Sequence, residues 1–207
     1  MSAPGWPLRL ADGDVGVRAL RTRDAAAWSE VRIRNERWLS TWEGRAPSQP
    51  FATWRDRHSP AVFALMLRQQ RKEARAGRLL PVAITHEERL VGALTVGGIT
   101  RGAFDSGHVG YWVDEQVAGR GVATTALALV LDHCFGPVGL HRVEANVRPE
   151  NAASRRVVAK LGFVEEGLHR RYLFIDEDWR DHLAFALLRE DVPPGGVLRG
   201  LREHPVP

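Results

Sequence analysis

Cysteine occurs once in the 207 residues, at Cys134, so no internal disulfide can form. Lysine occurs only at Lys72 and Lys160, and arginine therefore carries nearly all of the positive charge. No run of about 18 apolar residues is present, which excludes a membrane-spanning helix. The opening Met1-Ser2-Ala3-Pro4-Gly5-Trp6 has neither the basic start nor the apolar stretch of a secretory leader. A single cysteine and no leader set the expectation of a cytoplasmic protein. The eight histidines are scattered without metal-ligand spacing. There is no Gly-x-Ser-x-Gly elbow, no Gly-Lys-Ser/Thr phosphate loop, and no G-x-G-x-x-G after the first expected strand. These absences exclude a disulfide scaffold, a zinc site, an α/β-hydrolase triad, a P-loop nucleotidase and a dinucleotide-binding fold.

What the chain does have is 44% apolar residues, enough for a core, together with a net charge of +4 and a pI near 9.9. That charge suits an anionic ligand such as a phosphorylated cofactor, or RNA, and equally a solvated surface written in arginine. Periodicity predicts a strand over 15–20, a helix starting at Asp24, a helical segment carrying Trp38 and Trp42 on one face, and a helix over 61–75. Strands follow over 80–85 and 90–96, the second broken by Gly97-Gly98, and then over 108–113. A long apolar helix runs from Gly121 to about Phe135, a strand covers 140–147, and a helix covers 149–161 with Gly162 as its C-terminal cap. Two last strands cover 163–174 and 180–188. The order gives an α/β fold with a mixed sheet and helices on its faces. One domain is expected over residues 1–190, with a loosely ordered tail over 191–207 on which Leu198 and Leu201 are positioned to dock.

Gln116-Val117-Ala118-Gly119-Arg120-Gly121 lies between a strand and a helix. Glycines there allow backbone N–H groups to approach a ligand, and a helix start offers free donors and partial positive charge, so the turn suits a pyrophosphate. Arg120 adds an ion pair. Read by itself the turn is equally an ordinary strand-to-helix connection.

The Gln-x-x-Gly-x-Gly pattern, flanked by Gly110-Tyr111-Trp112-Val113-Asp114 and Val122-Ala123-Thr124, resembles the coenzyme A signature of the GNAT acetyltransferases, in particular the RimJ/RimL branch. Asn151-Ala152-Ala153-Ser154, followed by Lys160-Leu161-Gly162-Phe163, is similar to that branch's second coenzyme A motif. Trp38-Leu39-Ser40-Thr41-Trp42 resembles its tryptophan-bearing helix. The likeness spans residues 8–190 and departs at Thr125, where the branch often has Glu. It implies a mostly antiparallel twisted sheet, splayed at the cofactor site, with helices on both faces. It implies acetyl-CoA as donor, bound by Trp112, Val113, Gln116, Val117, Ala118, Gly119, Arg120, Gly121, Val122, Ala123, Thr124, Asn151 and Ser154.

Acetyl transfer to an amine requires loss of a proton from the ammonium, a donor for the tetrahedral oxyanion, and a proton for the leaving thiolate. The resemblance assigns the oxyanion donor to the Val113 N–H and the acid to Ser154. Many GNAT enzymes carry a tyrosine at the position of Val158, and its absence shifts the acid role toward Ser154. Asn151 either contacts the pantetheine arm or only caps its helix. Alternation puts Arg142, Glu144 and Asn146 on one side of their strand, so Glu144 is the candidate base or an arginine's partner; Glu165, Glu166 and Asp176 are weaker candidates. Tyr172, Trp38 and Trp42 are expected at the acceptor mouth or in the core, and Cys134 in the core. The expected acceptor is the N-terminal amine of a protein, a ribosomal one by resemblance. The alternatives are a small-molecule amine acetyltransferase and a non-catalytic acetyl-CoA-binding or RNA-associated module. No membrane and no direct nucleic-acid contact are expected, and the chain is expected as a monomer or homodimer.

Overall fold

The computed structural model describes residues 3–48 and 53–203. Eight strands form one sheet: β1 (Arg9–Asp12), β2 (Val15–Ala19), β3 (Leu80–His86), β4 (Arg89–Thr100), β5 (Ser106–Val113), β6 (Arg142–Val147), β7 (Val164–Ile175) and β8 (Asp178–Leu188). Their order is β1-β2-β3-β4-β5-β6-β8-β7, and among these neighbours only β5 and β6 run parallel. Among the described residues, seven α-helices complete the fold: α1 (Ala25–Arg34), α2 (Glu36–Leu39), α3 (Trp54–Arg57), α4 (Pro60–Arg75), α5 (Val122–His133), α6 (Ala152–Lys160) and α7 (Val197–Glu203).

The expected α/β architecture with a mostly antiparallel sheet and helices on both faces is present. On one face, α5 and α6 close the larger core, built from Val17, Val82, Ile84, Leu94, Val143, Ala145, Leu127, Leu131 and Val158. On the other, α1 and α4 cover only part of the sheet, through Trp28, Val31, Phe63 and Leu67 against Ala83 and Leu90. β3 is therefore covered on both sides and reads as a continuous buried run. β6 alternates half-buried and buried residues, and β7 is exposed from Val164 to Leu173. The second face is thus open over β6, β8 and β7.

Several details depart from expectation. The hairpin strand β1 pairs with β2 and was not anticipated, being four residues long with no apolar alternation. Gly97-Gly98 does not end β4; the strand continues to Thr100 through a register shift against β5. Trp38 and Trp42 do not share one α-helix, because α2 ends at Leu39 and Trp42 lies in the following 3-10 turn. The tail expected to be loose is docked as far as Glu203. The Asp132 carboxylate on α5 accepts from the N–H groups of Val197 (2.6 Å) and Leu198 (3.2 Å), and Val197 is buried. Cys134 lies in the core as expected, its thiol pushed up to about 12 by burial, which leaves it inert.

A polar cluster ties α1 to α3. Arg32 is buried beneath the rings of Trp28, Trp54 and Trp112 and pairs with Glu43. His58 Nδ1 donates to the Trp54 carbonyl at 2.8 Å, so Nε2 accepts from Arg32 at 2.6 Å. Burial and the neighbouring Arg32 push His58 down to about 4. The folded protein therefore holds His58 neutral, whereas the unfolded chain binds a proton there below about 6.5.

Two outcomes follow. Stability should be intact above pH 6.5 and decline toward pH 4 at up to about 1.4 kcal/mol per unit from this group; His58→Gln should flatten that limb in urea titrations run across the range. Asp132→Ala should cost about 1 kcal/mol and speed proteolysis after residue 191.

Candidate active site

β5 and β6 pair from Ser106↔Arg142 to Val109↔Ala145 and no further, although β5 continues to Val113 and β6 to Val147. The two strands part there, and a gap opens toward their C-terminal ends. The direction of the β5 backbone in this gap follows from its other neighbour. The Asp114 N–H donates to the Val91 carbonyl at 2.7 Å, so Val91 and Asp114 form a hydrogen-bonded pair of the antiparallel ladder. Alternation then makes Ala93 and Trp112 the next such pair, while Val113 and Tyr111 turn their N–H and C=O groups away from β4 and into the gap. The Val113 carbonyl accepts from Trp38 Nε1 at 3.2 Å. The Val113 N–H faces the β6 side, where pairing has ceased. Trp112, expected to share this contact, instead spends its backbone on β4 and its ring on Arg32.

The turn after β5 is held from outside. Asp114 is buried; its carboxylate accepts from Arg34, from Asn35 Nδ2 at 2.9 Å and from the Gln116 N–H at 3.3 Å. The Glu115 N–H donates to Asn35 Oδ1 at 3.0 Å. Burial alone would raise the Asp114 carboxyl, but the Arg34 and Asn35 hydrogen bonds hold it below the usual carboxylate range. Asp114, Asn35 and Arg34 were not anticipated as site residues. Their only sequence signal was an acid immediately before the turn, because the partners lie about 80 positions away.

Gly119 and Gly121 have φ of +77° and +78°, which a side chain would strain. Gly121 caps α5, and the first N–H of the helix to find a carbonyl is that of Thr125, bonded to Gly121 at 2.9 Å. Among the described residues, the N–H groups of Gly119, Gly121, Val122, Ala123 and Thr124 donate to no backbone carbonyl. A row of free donors at the positive end of a buried helix is an anion cradle. Arg120 and Gln116 are exposed beside it. The side chains of Val117 and Val122 are buried, so these two offer the ligand backbone only.

Across the gap, Asn151 caps α6, its Oδ1 accepting from the Ser154 N–H at 3.0 Å. Ser154 Oγ lies 2.8 Å from the Tyr111 hydroxyl. Burial pushes Tyr111 up to about 12, so it stays protonated and able to donate. Tyr111 went unassigned in the sequence because its contact is made between β5 and α6. The free cradle, the unpaired Val113 backbone and Ser154 fit a long phosphorylated thioester laid from the turn into the gap. Glu144 is on the opposite face of the sheet and accepts from Arg142 at 2.8 Å, which also forks onto Glu166. It sits one register before the strands part.

Residues 38–45 cross the open end. Trp38 reaches Val113, the Thr41 carbonyl accepts from Arg148 at 2.9 Å, Arg148 lies over the Trp42 ring, and the Arg45 N–H bonds the Phe174 carbonyl at 3.1 Å. Tyr172 on β7 accepts from Asn146 at 3.2 Å. Of the three aromatic residues expected at the acceptor mouth or in the core, Trp38 bonds β5, Trp42 lies against Arg148 after β6, and Tyr172 bonds β6.

Residues 14–164 match the acetyltransferase (GNAT) domain family. The chain superposes on the RimJ of Mycobacterium smegmatis in complex with CoA-disulfide with a TM-score of 0.92, at 44% identity over 97% of this chain and 96% of that one. It is 30% identical to the [ribosomal protein uS5]-alanine N-acetyltransferase of Escherichia coli over 91% of this chain and 94% of that protein. It is 40% identical to the probable N-acetyltransferase YjcK of Bacillus subtilis, over 51% of this chain and 58% of that relative.

Substituting the cradle separates strain from binding. Gly121→Ala should cost about 1–2 kcal/mol in thermal denaturation and weaken acetyl-CoA binding. Arg120→Ala should leave stability within about 0.5 kcal/mol while raising the acetyl-CoA Kd roughly fivefold by calorimetry.

Proposed function

The chain belongs to the GNAT acetyltransferase family and is an N-acetyltransferase with acetyl-CoA as donor; on that premise we propose that its acceptor is the N-terminal amine of a ribosomal protein. The observation that carries this reading is full-length likeness to RimJ and to the uS5-alanine enzyme. The open face over β6, β8 and β7 supports it. There Ala184 presents a small, half-buried side chain opposite Asn146, and β7 is exposed along ten residues. An extended peptide end fits such a face.

Bound acetyl-CoA supplies an activated acetyl thioester. The N–H groups of Gly119, Gly121, Val122, Ala123 and Thr124, with Arg120, hold its pyrophosphate, and Gln116, Val117 and Ala118 shape the approach. The gap-facing backbone of Tyr111 and Val113 orients the pantetheine arm, and Asn151, whose Oδ1 is spent on the Ser154 N–H, keeps its amide hydrogens for the same arm. The Val113 N–H stabilises the oxyanion. Ser154 passes a proton to the departing thiolate and is resupplied by Tyr111. Trp38, Trp42 and Tyr172 border the acceptor, and Glu144, engaged with Arg142, belongs to its wall.

The test is thiol release and a one-acetyl mass gain on peptides that carry ribosomal-protein N-termini. Turnover should require a free α-amine and vary with the first residue; equal turnover of spermidine or an aminoglycoside would overturn the peptide reading. Ser154→Ala should lower kcat by about 10- to 100-fold with the acetyl-CoA Kd nearly unchanged.

A further inference from the structure

The acceptor reaches the site as an ammonium, and the reaction needs a group that takes its proton. On the acceptor face, Asn146 is the first β6 residue beyond the last β5 pair, so it stands on the lip of the gap. Its Nδ2 donates to the Tyr172 hydroxyl, and its Oδ1 is buried without a partner. A buried acceptor left unpaired is costly and marks a place where a donor belongs. Next to it, Ala184 pairs with Asn146, and two residues along β8 on the same face is His182.

His182 is 3% exposed. Its ring meets that of Tyr172 edge-on at 5.5 Å, and Tyr172 in turn stacks on His169 at 4.9 Å. His182 Nδ1 lies 3.1 Å from the Arg180 carbonyl. A carbonyl only accepts, so Nδ1 carries the hydrogen and Nε2 is left with the lone pair. The charged and titratable groups acting on the ring are Arg148 and Glu150 from the segment after β6 and His169 from β7. Burial, helped by Arg148 and His169 and opposed by the Arg180 carbonyl and Glu150, holds His182 below the ordinary histidine range. It is neutral, and able to accept, at pH 7.

We propose that His182 is the general base: Nε2 takes the proton of an acceptor ammonium seated between Asn146 Oδ1 and the Tyr172 hydroxyl. This rests on the acetyltransferase reading. The ammonium loses one proton to Nε2, its nitrogen lone pair forms the bond to the thioester carbon, and the carbon–sulfur bond breaks with its electrons leaving on sulfur. The thiolate gains a proton from Ser154, and His182 returns its proton to solvent. Asn146 and Tyr172 are positioning residues for this step.

The experiment measures kcat against pH on a peptide that wild type turns over. Wild-type kcat should fall as pH drops through a single ionisation below 6.5. His182→Gln should lower kcat roughly 100-fold or more, abolish that acid limb and leave the acetyl-CoA Kd within about twofold. The deficit should shrink with an acceptor amine already neutral at pH 7, and added imidazole should restore part of the rate to His182→Ala. A His182→Gln enzyme within about threefold of wild type, or one that keeps the acid limb, overturns the proposal. Absence of wild-type turnover on every peptide would instead overturn the acceptor reading. Histidine nitrogen NMR then decides the inference independently: the neutral Nδ1–H tautomer at pH 7 supports it, and an Nε2–H or charged ring overturns it.

Discussion

Two parallel strands that pair for four residues and then part dictate most of what this protein can do. A parallel ladder that ran to Val113 would have consumed the Val113 N–H, and the sheet would present no free donor between its strands. Because β5 leaves β6 after Val109, its backbone alternation matters. The antiparallel bond between Asp114 and Val91 fixes which residues face β4 and which face the gap. The same parting lets α5 and α6 bring the cradle and Ser154 to opposite sides of one opening.

The surroundings hold that opening in shape. Arg34, the last residue of α1, and its C-cap Asn35 pin Asp114, and through it the start of the turn, while the aromatic stack over Arg32 fixes Trp112 one residue before Val113. Residues 38–45 then span the mouth from β5 to β7, so the first helices and the last hairpin share one boundary. The two faces of the sheet divide the chemistry. In the proposed reading the phosphorylated donor lies on the face beneath α5 and α6, and the amine on the face that α1 and α4 leave uncovered. Glu144 and Ser154 are therefore separated by the sheet itself, and on the uncovered face Glu144 is already engaged by Arg142.

Legibility in the sequence followed the range of the interactions. The anion cradle was readable because its parts are consecutive: Gly119, Gly121 and the first N–H groups of α5 are one local turn. The cap of α6 by Asn151 was readable for the same reason, three residues apart. The strands with strong alternation, such as β6, were placed within two residues of their observed ends. β1 was missed because four residues with one large apolar side chain carry no period. The docked α7 was missed because a Pro-Pro-Gly-Gly stretch reads as an ending, whereas Asp132, some 65 residues earlier, supplies its cap. Gly97-Gly98 read as a break because glycine weakens a strand, yet pairing on both sides of the register shift carries β4 through.

By itself the sequence determined the mixed α/β order, the phosphate-binding turn and the presence of a second helix start that answers it. Each of these depends on neighbours a few bonds apart, which the residue pattern encodes directly. Only the tertiary structure decided where β5 and β6 separate, that Tyr111 meets Ser154, that Glu144 is occupied by Arg142, and that Asn146, Tyr172 and His182 gather on the open face. Apart from the Arg142–Glu144 pair, which lies within β6, those are contacts between residues on different elements, such as Tyr111 and Ser154 or Asn146 and Tyr172. They are set by sheet register, and a shift of one residue would turn each side chain to the opposite face.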